Sequence, residues 1–197
     1  MNAGARTSFG IFQTLLLLAL LSGGCATHVT PPEFVRDPVT VYVTDYGKHS
    51  SIVMPDPDGG YVEYAYGDYD WFALGEVNLF SGIRAIFASP KATLGRRTIP
   101  ARDGPITPAD LRCERISEFS ASQARVEALR INLESIFSHS GEKPIHSNFS
   151  MLEHVPDPEH YWLFHNCNHA TAQWLRALGC RIDGLAILSN FRVLPSD

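Results

Sequence analysis

Alternating apolar and polar positions predict a three-strand meander near the start of the chain. Residues 39–44 read Val-Thr-Val-Tyr-Val-Thr, a period-two run of β-branched and aromatic side chains. Residues 49–54 and 61–66 also have strand character, and the turn at residues 55–60 is rich in proline, aspartate and glycine. Strands joined by short turns pair antiparallel, so we expect a meander with His49 at the start of its middle strand.

Helical spacing of apolar side chains predicts two well-marked helices in the second half of the chain. Ser120 followed by Gln123 fits a capping box, and apolar residues then recur at helical intervals until Gly141 ends the pattern. A second amphipathic pattern begins near Cys167 and stops at Gly179, which fits a helical C-cap.

Several other segments have weaker patterns. Residues 93–99 and 113–119 read as strands, whereas residues 77–88 and 185–193 have helical spacing. Residues 140–158 have no clear period and contain three prolines, which predicts a long functional or mobile loop.

The first 24 residues have the pattern of a lipoprotein signal peptide. Arg6 is their only charged residue, and the apolar block at residues 11–21 is followed by three small residues before Cys25. That block is too short to cross about 30 Å of hydrocarbon as a retained helix. We therefore expect cleavage before Cys25 and lipid attachment to its sulfur, with simple secretion and a retained anchor as the alternatives.

This interpretation divides the chain into a signal peptide (1–24), a lipidated cysteine with a tether (25–38) and one folded domain (39–197). Three prolines stiffen the tether, and the length of the remainder suits a single domain with its own core. Similarity to Gram-negative lipoproteins implies attachment to the periplasmic face of the outer membrane.

Composition excludes one class of partner and constrains the cysteines. The formal net charge is −5, with 45% hydrophobic residues, so nucleic acid is not expected as a partner. Three cysteines, Cys113, Cys167 and Cys180, follow Cys25. If Cys113 and Cys180 form a disulfide, Cys167 remains as a free thiol, but both can equally be buried apolar side chains.

Cys167 offers the clearest candidate chemistry, because the helical pattern begins at this thiol directly after the polar Asn166. The unpaired backbone N–H groups of a helix N-terminus favour a thiolate, which predicts a thiol pKa below the ordinary value of about 8.5. The alternative is a small, buried, apolar side chain that happens to begin a helix.

A thiol nucleophile needs a base, and the chain has eight histidines. His165 precedes the helix as a flexible neighbour, and His169 lies two residues after Cys167, where helical side chains point about 200° apart. Most of the others lie in or beside the irregular segment 140–158, where exposed histidine is unremarkable. His49 is different, because a strand end is a rigid platform for a base.

The order of these blocks resembles the circularly permuted papain-like superfamily. That group includes lecithin:retinol acyltransferase-like proteins, PPPDE peptidases and permuted relatives of the NlpC-type cell-wall peptidases. Its histidine strand precedes its cysteine helix, as His49 precedes Cys167, and residues 47–53, 61–68 and 166–179 are similar to blocks of an uncharacterised bacterial lipoprotein family. The resemblance implies an α+β fold in which an antiparallel meander packs against a Cys-bearing helix and further helices.

The same resemblance implies roles for individual residues. Cys167 is the expected nucleophile and His49 the expected base. The group that orients the imidazole is expected on the strand after the histidine, where Glu63 is the first choice and Asp68 the competing one. The oxyanion would be bound by the Cys167 backbone N–H, helped by the Asn166 side chain. Five aromatic residues can line a groove or belong to the core: Tyr64, Tyr66, Trp71, Phe72 and Trp162.

These roles predict a membrane-anchored cysteine hydrolase or acyltransferase that acts on an amide or ester bond without a cofactor. Attachment to the outer membrane favours a peptidoglycan peptide as substrate, with a lipid acyl ester as the second choice. One alternative is a non-catalytic envelope lipoprotein that binds cell-wall peptide. The other is a metal-binding module in which His165, Cys167 and His169 hold Zn²⁺.

Overall fold

Strands dominate the computed structural model of the chain, which describes residues 26–76, 91–162 and 165–195. The described strands are β1 (Thr27–Thr30), β2 (Pro38–Asp45), β3 (Ser50–Pro55), β4 (Tyr61–Asp68), β5 (Ala92–Ile99), β6 (Arg115–Ser122), β7 (Ile145–His146), β8 (Glu153–Asp157), β9 (Arg181–Asp183) and β10 (Phe191–Val193). The described helices are a π-helical turn (Tyr69–Ala73), α1 (Pro108–Leu111), α2 (Gln123–His139) and α3 (Cys167–Ala177). The predicted signal peptide, Cys25 and the helix predicted at 77–88 lie outside the described residues.

Seven strands form one antiparallel sheet in the order β6-β2-β3-β4-β5-β8-β7, so the class is α+β, as predicted. The predicted meander is confirmed, because β2 pairs antiparallel with β3 and β3 with β4. Its register places Val53 opposite both Tyr42 and Glu63. None of the helices described in these residues is long and apolar enough to cross a membrane.

The two faces of the sheet carry separate apolar clusters, since successive side chains of a strand point to opposite sides. Ile52 and Met54 lie on the face that packs against α2 and α3, in a cluster with Leu129 and Leu175. Val53 lies on the other face, in a smaller cluster that includes Leu111 of α1. Burying a leucine as completely as Leu175 stabilises the fold by about 1.5–3 kcal/mol.

Strand β6 extends past the predicted start of the helix. Ser120 pairs with Thr40 in the ladder between β6 and β2, and α2 begins at Gln123 after the cap residue Ser122. The capping box predicted at Ser120 is therefore wrong, because strand pairing holds that backbone extended. The predicted end of the helix is confirmed, with Gly141 in the left-handed region at φ 70°.

The segment predicted as an irregular loop contains two strands. Strand β8 pairs with β5 and places Pro156 opposite Thr93. Among the described residues, the two-residue β7 pairs with Glu153 and His154 and nothing pairs beyond them on that side, so β8 has a free edge there from Val155 onward, where proline is tolerated.

The chain near both ends of the described residues forms a second sheet, in the order β10-β1-β9. The helix predicted at 185–193 is wrong, because Phe191 to Val193 pair with β1 and the apolar Leu185 and Leu188 are exposed rather than packed. Part of the predicted tether is also folded, since β1 belongs to this sheet and Val29 is fully buried.

Candidate active site

The turn between β2 and β3 fixes the backbone of His49, which directly precedes β3. Within the turn, the Tyr46 N–H donates to the His49 carbonyl at 2.8 Å. Gly47 has φ 84°, and its N–H donates to Asp45 Oδ1 at 2.8 Å. From outside the turn, Ser189 Oγ donates to the Gly47 carbonyl at 2.8 Å. The turn is thus held from two sides, which gives the rigid platform expected for a base.

Helix α3 begins at Cys167, as predicted, and Asn166 is its cap residue. The Asn166 Oδ1 atom accepts from the N–H groups of Asn168 and His169 at 3.0 and 3.1 Å, which satisfies two otherwise unpaired helix donors. Its Nδ2 group donates to the Ile187 carbonyl at 3.4 Å. The oxyanion role of Asn166 stays a prediction, and its described contacts are those of a helix cap.

A buried polar clamp joins α3 to β3 beside the site. Ser50 Oγ lies 2.8 Å from Asn168 Oδ1 and 3.1 Å from Thr171 Oγ1, and all three residues are almost inaccessible to solvent. Asn168 Nδ2 also donates to the Ile187 carbonyl at 2.9 Å. Because these groups are buried, each lost bond leaves an unsatisfied polar atom. The clamp therefore fixes the position of Cys167, at the start of α3, relative to β3, which His49 directly precedes.

The thiol of Cys167 lies against the backbone on both sides of His49. Its Sγ atom is 4.0 Å from the Lys48 carbonyl oxygen, and it also accepts from the Ser50 N–H and from the Tyr161 hydroxyl. The structure therefore places the predicted nucleophile against the backbone on either side of the predicted base, which lies far from it in sequence.

Burial controls the protonation of this thiol. It raises the pKa of Cys167 to about 11, although the Ser50 N–H and the Tyr161 hydroxyl act in the opposite direction. The prediction of a lowered pKa is wrong, because desolvation of the thiolate outweighs the donors around the helix start. Cys167 is a neutral thiol at rest.

The imidazole of His49 is also neutral at rest. Burial, with a smaller contribution from the nearby His154 ring, lowers the pKa of His49 to about 3. The residue is partly exposed, but its Nδ1 atom is enclosed and has no hydrogen-bond partner among the described residues. The ring packs on Phe72, with the two centroids 4.4 Å apart. A neutral imidazole with an unused ring nitrogen can accept a proton.

Gly67 provides the space for the ring that supports His49. A Cβ atom at Gly67 would lie 2.3 Å from Phe72 Cδ2, which no real side chain would tolerate. The absence of a side chain on this part of β4 thus allows Phe72 to pack against the imidazole.

Glu63 lies on the face of the sheet away from α3, because its neighbours Val62 and Tyr64 belong to the helix-side cluster. Glu63 Oε1 accepts from Tyr46 Oη at 2.6 Å and from Ser51 Oγ at 2.5 Å, and Oε2 pairs with Arg97 Nε at 2.6 Å. Its described bonds therefore join it to those three groups rather than to His49. Its role in orienting the imidazole stays a prediction.

Asp68, the competing candidate, has an unused carboxylate oxygen. Its Oδ1 atom accepts from the Trp71 N–H at 2.8 Å, whereas the buried Oδ2 has no partner among the described residues. Asp68 is almost fully buried. It also lies near Tyr161, because its carboxylate is one of the groups that raise the pKa of the Tyr161 hydroxyl, after burial of that hydroxyl and the charge of Cys167. Of the two candidate carboxylates, Asp68 rather than Glu63 is thus the one that acts on Tyr161, whose hydroxyl contacts the Cys167 thiol.

The candidate residues border one cavity of about 930 Å³, a size suited to a small ligand or a short peptide. Cys167, His49, Glu63 and Asp68 all line it. Among the five aromatic candidates, Trp71 and Phe72 line the cavity, Tyr64 and Tyr66 belong to the buried core, and Trp162 is 47% exposed.

The three residues of the proposed zinc module have separate partners. His165 Nε2 pairs with Glu159 Oε2 at 2.5 Å, and His169 Nδ1 lies 3.1 Å from Asn166 Oδ1. Within the described ranges, no group of three His, Cys, Asp or Glu side chains is arranged to hold a metal ion. The metal alternative gains no support from this geometry.

Cys113, Cys167 and Cys180 are all free thiols. Cys113 packs against the small cluster on one face of the sheet, whereas Cys180 belongs to the helix-side cluster on the other. The disulfide considered between Cys113 and Cys180 is therefore absent, because the two thiols lie on opposite faces of the sheet.

Sequence reasoning missed two residues of the site, Tyr161 and His154. No role was predicted from the sequence for Tyr161, which precedes Cys167 by six positions and whose hydroxyl contacts its thiol. His154 was expected to be exposed, but it is 1% exposed. Residues 152–157 have no clean alternation of apolar and polar side chains, so no local pattern indicated the strand that buries His154.

Comparison with protein-family models, with curated protein sequences and with solved structures finds no match to this chain.

Proposed function

We propose that this protein is a cysteine hydrolase or acyltransferase that acts on an amide or ester carbonyl, with Cys167 as nucleophile and His49 as base. The observation that carries the proposal is the seating of the Cys167 thiol between the Lys48 carbonyl and the Ser50 N–H, directly against the residue that bears the imidazole. Both side chains line one cavity large enough for a substrate.

The neutral resting state of both groups favours general-base catalysis over a preformed thiolate–imidazolium pair. As the Cys167 sulfur forms a bond to the carbonyl carbon, its proton passes to His49. His49 then protonates the leaving amine or alcohol as that bond breaks. Water or another acceptor resolves the thioester by the reverse proton path, which regenerates the thiol.

Two further groups support the reaction in this proposal. The backbone N–H of Cys167 and the Tyr161 hydroxyl are donors beside the sulfur, where the oxyanion would form. Asp68 has the unused carboxylate oxygen that can stabilise the charged form of His49 in the transition state. Glu63 fits a supporting role through Tyr46, whose ring lies 5.9 Å from that of His49.

The substrate and location remain those implied by the sequence. We propose that Cys25 carries the lipid, that the domain lies on the periplasmic face of the outer membrane, and that the substrate is a peptidoglycan peptide. A lipid acyl ester is the second choice. A non-catalytic peptide-binding lipoprotein is favoured by one observation, the neutral state of the buried thiol and imidazole.

The test is digestion of purified peptidoglycan stem peptides by the full chain in detergent, with products identified by mass spectrometry. We expect cleavage by the wild type, a loss of about 100-fold or more in Cys167→Ala and His49→Gln, and full activity in Cys180→Ala. Cleavage that survives Cys167→Ala would refute the nucleophile. If the wild type cleaves neither stem peptides nor lipid esters, the binding function takes its place.

A further inference from the structure

A serine hydroxyl and a histidine ring that are hydrogen-bonded to each other lie in the same region of the molecule. Ser150 Oγ is 2.6 Å from His154 Nε2, and Ser150 lines the cavity that holds Cys167. Ser150 belongs to the loop between β7 and β8, and His154 is a buried residue of β8. The proposed function uses neither side chain.

The hydrogen bonds of Thr93 determine which nitrogen of His154 carries the proton. Thr93 Oγ1 donates its one hydrogen to the Val155 carbonyl at 2.8 Å, and the same oxygen lies 3.2 Å from His154 Nδ1. It can therefore only accept at that second contact, so Nδ1 bears the hydrogen. Nε2 is left with a lone pair, and the Ser150 hydroxyl donates to it. This is the proton arrangement that activates a serine.

The surroundings hold the pair in place. A Cβ atom at Gly95 would lie 2.7 Å from His154 Cε1, so the bare backbone of β5 accommodates the ring. Burial, with a smaller contribution from His146, lowers the pKa of His154 to about 4, which keeps the imidazole neutral at neutral pH and leaves Nε2 free to accept a hydrogen bond. Met151, the residue after Ser150, has φ 60°, a left-handed conformation that is unfavourable for a non-glycine residue and is concentrated at functional sites.

We propose that Ser150 is a second nucleophile, activated by His154 and oriented through Thr93, which cleaves esters of apolar carboxylic acids. The acyl group is assigned as apolar because Phe149, Met151 and Leu152, the neighbours of Ser150, line the same cavity.

The reaction balances with these groups alone. Ser150 Oγ forms a bond to the ester carbonyl carbon while its proton passes to His154 Nε2. His154 returns that proton to the alcohol oxygen as the C–O bond breaks. Water then attacks the acyl-serine with the same base, releasing the acid and restoring the Ser150 hydroxyl. Cys167 takes no part, so this activity stands or falls independently of the proposed function.

The experiment is labelling of the full chain in detergent with an alkyl fluorophosphonate, followed by peptide mass spectrometry. Ser150 Oγ forms a bond to phosphorus, fluoride leaves, and the proton passes to His154. We expect the label on Ser150 in the wild type and in Cys167→Ser, and its loss in Ser150→Ala. Ser135→Ala, which removes an exposed hydroxyl bonded to a helix carbonyl, is the matched control and should label normally.

Two variants test the proton path rather than the presence of the hydroxyl. His154→Asn keeps a donor toward Thr93 but removes the acceptor, and should slow labelling by about 100-fold or more. Thr93→Val removes the acceptor for Nδ1–H and should slow it by about tenfold. Thermal melts identify any variant that fails to fold. If His154→Asn does not fold, the labelling rate of Thr93→Val decides whether the proton path exists. Absence of label on wild-type Ser150, or equal rates in the wild type and both variants, would overturn the proposal.

Discussion

The clamp between α3 and β3 gives a quantitative test of how the site is assembled. Ser50→Ala removes the hydroxyl that bonds Asn168 Oδ1 at 2.8 Å and lies 3.1 Å from Thr171 Oγ1. Both partners remain buried, so a water molecule cannot replace the lost group without rearrangement. Leaving a buried polar group unsatisfied costs about 1–3 kcal/mol. For a domain of this size, a loss of 2 kcal/mol lowers Tm by about 4–8 °C.

Thermal and urea unfolding of the full chain measure this effect. Asn168→Ala should destabilise more than Ser50→Ala, because Asn168 also bonds the Ile187 carbonyl at 2.9 Å. The double variant should lose less than the sum of the two, since both changes remove the same bond. The control Ser135→Ala should stay within about 0.5 kcal/mol of the wild type. A Ser50→Ala protein as stable as this control would refute the clamp.

Three further predictions concern charges, pH and thiols. Glu63→Gln should destabilise the fold and leave the rate of Cys167 alkylation unchanged, whereas Asp68→Asn should change that rate. The opposite result would make Glu63 the residue that orients the His49 imidazole. The folded-state pKa of His154, about 4, lies below its ordinary value of 6.5, so its contribution to stability is present above pH 6.5 and lost as pH falls toward 4. Melts across that range should therefore show a smaller loss in His154→Asn, and an equal loss would contradict the assignment. Cys113 and Cys180 should both be alkylated when the protein is denatured without reductant. A protein mass two hydrogens below that of the reduced chain, with neither cysteine labelled, would show a disulfide and contradict the free thiols.

Local sequence patterns predicted the strands and helices that are marked by alternating apolar and polar side chains or by capping residues at their ends. The meander followed from the β-branched alternation of residues 39–44 and the turn at 55–60, and its pairing was confirmed. The helix at Cys167 was recognised because Asn166 and Gly179 mark its two ends. These signals act within a few residues, so the sequence alone carries them.

Pairing partners distant in sequence decided the elements that were predicted wrongly. Ser120 has the chemistry of a helix cap, but pairing with Thr40 keeps it in β6. Phe191 follows apolar residues at helical spacing, yet its partner is Thr27 of β1, more than 150 positions earlier in the chain. No local pattern contains such a contact, which is why tertiary structure overrides propensity here.

Cys167 and His49, both singled out from the sequence, line one cavity, but the sequence did not predict the electrostatics of the thiol. Their pairing was implied by the family resemblance, in which the histidine precedes the cysteine, and it stays a prediction. The pKa of the thiol depends on how deeply α3 packs against β3, and burial of that interface reversed the expected direction. The face occupied by Glu63 likewise followed from strand register rather than from its distance to His49 along the chain.

The most direct test of the central claim is the rate of Cys167 alkylation by iodoacetamide as a function of pH, in the wild type and in His49→Gln. A thiol pKa of about 11, rather than the ordinary value of about 8.5, leaves about 300-fold less thiolate at pH 7, so the wild-type rate should keep rising above pH 9. Because glutamine preserves bulk but accepts no proton, the variant should react about tenfold more slowly at neutral pH. Equal rates in the two proteins would contradict a working pair, and a wild-type pKa well below 8.5 would contradict the buried, neutral thiol.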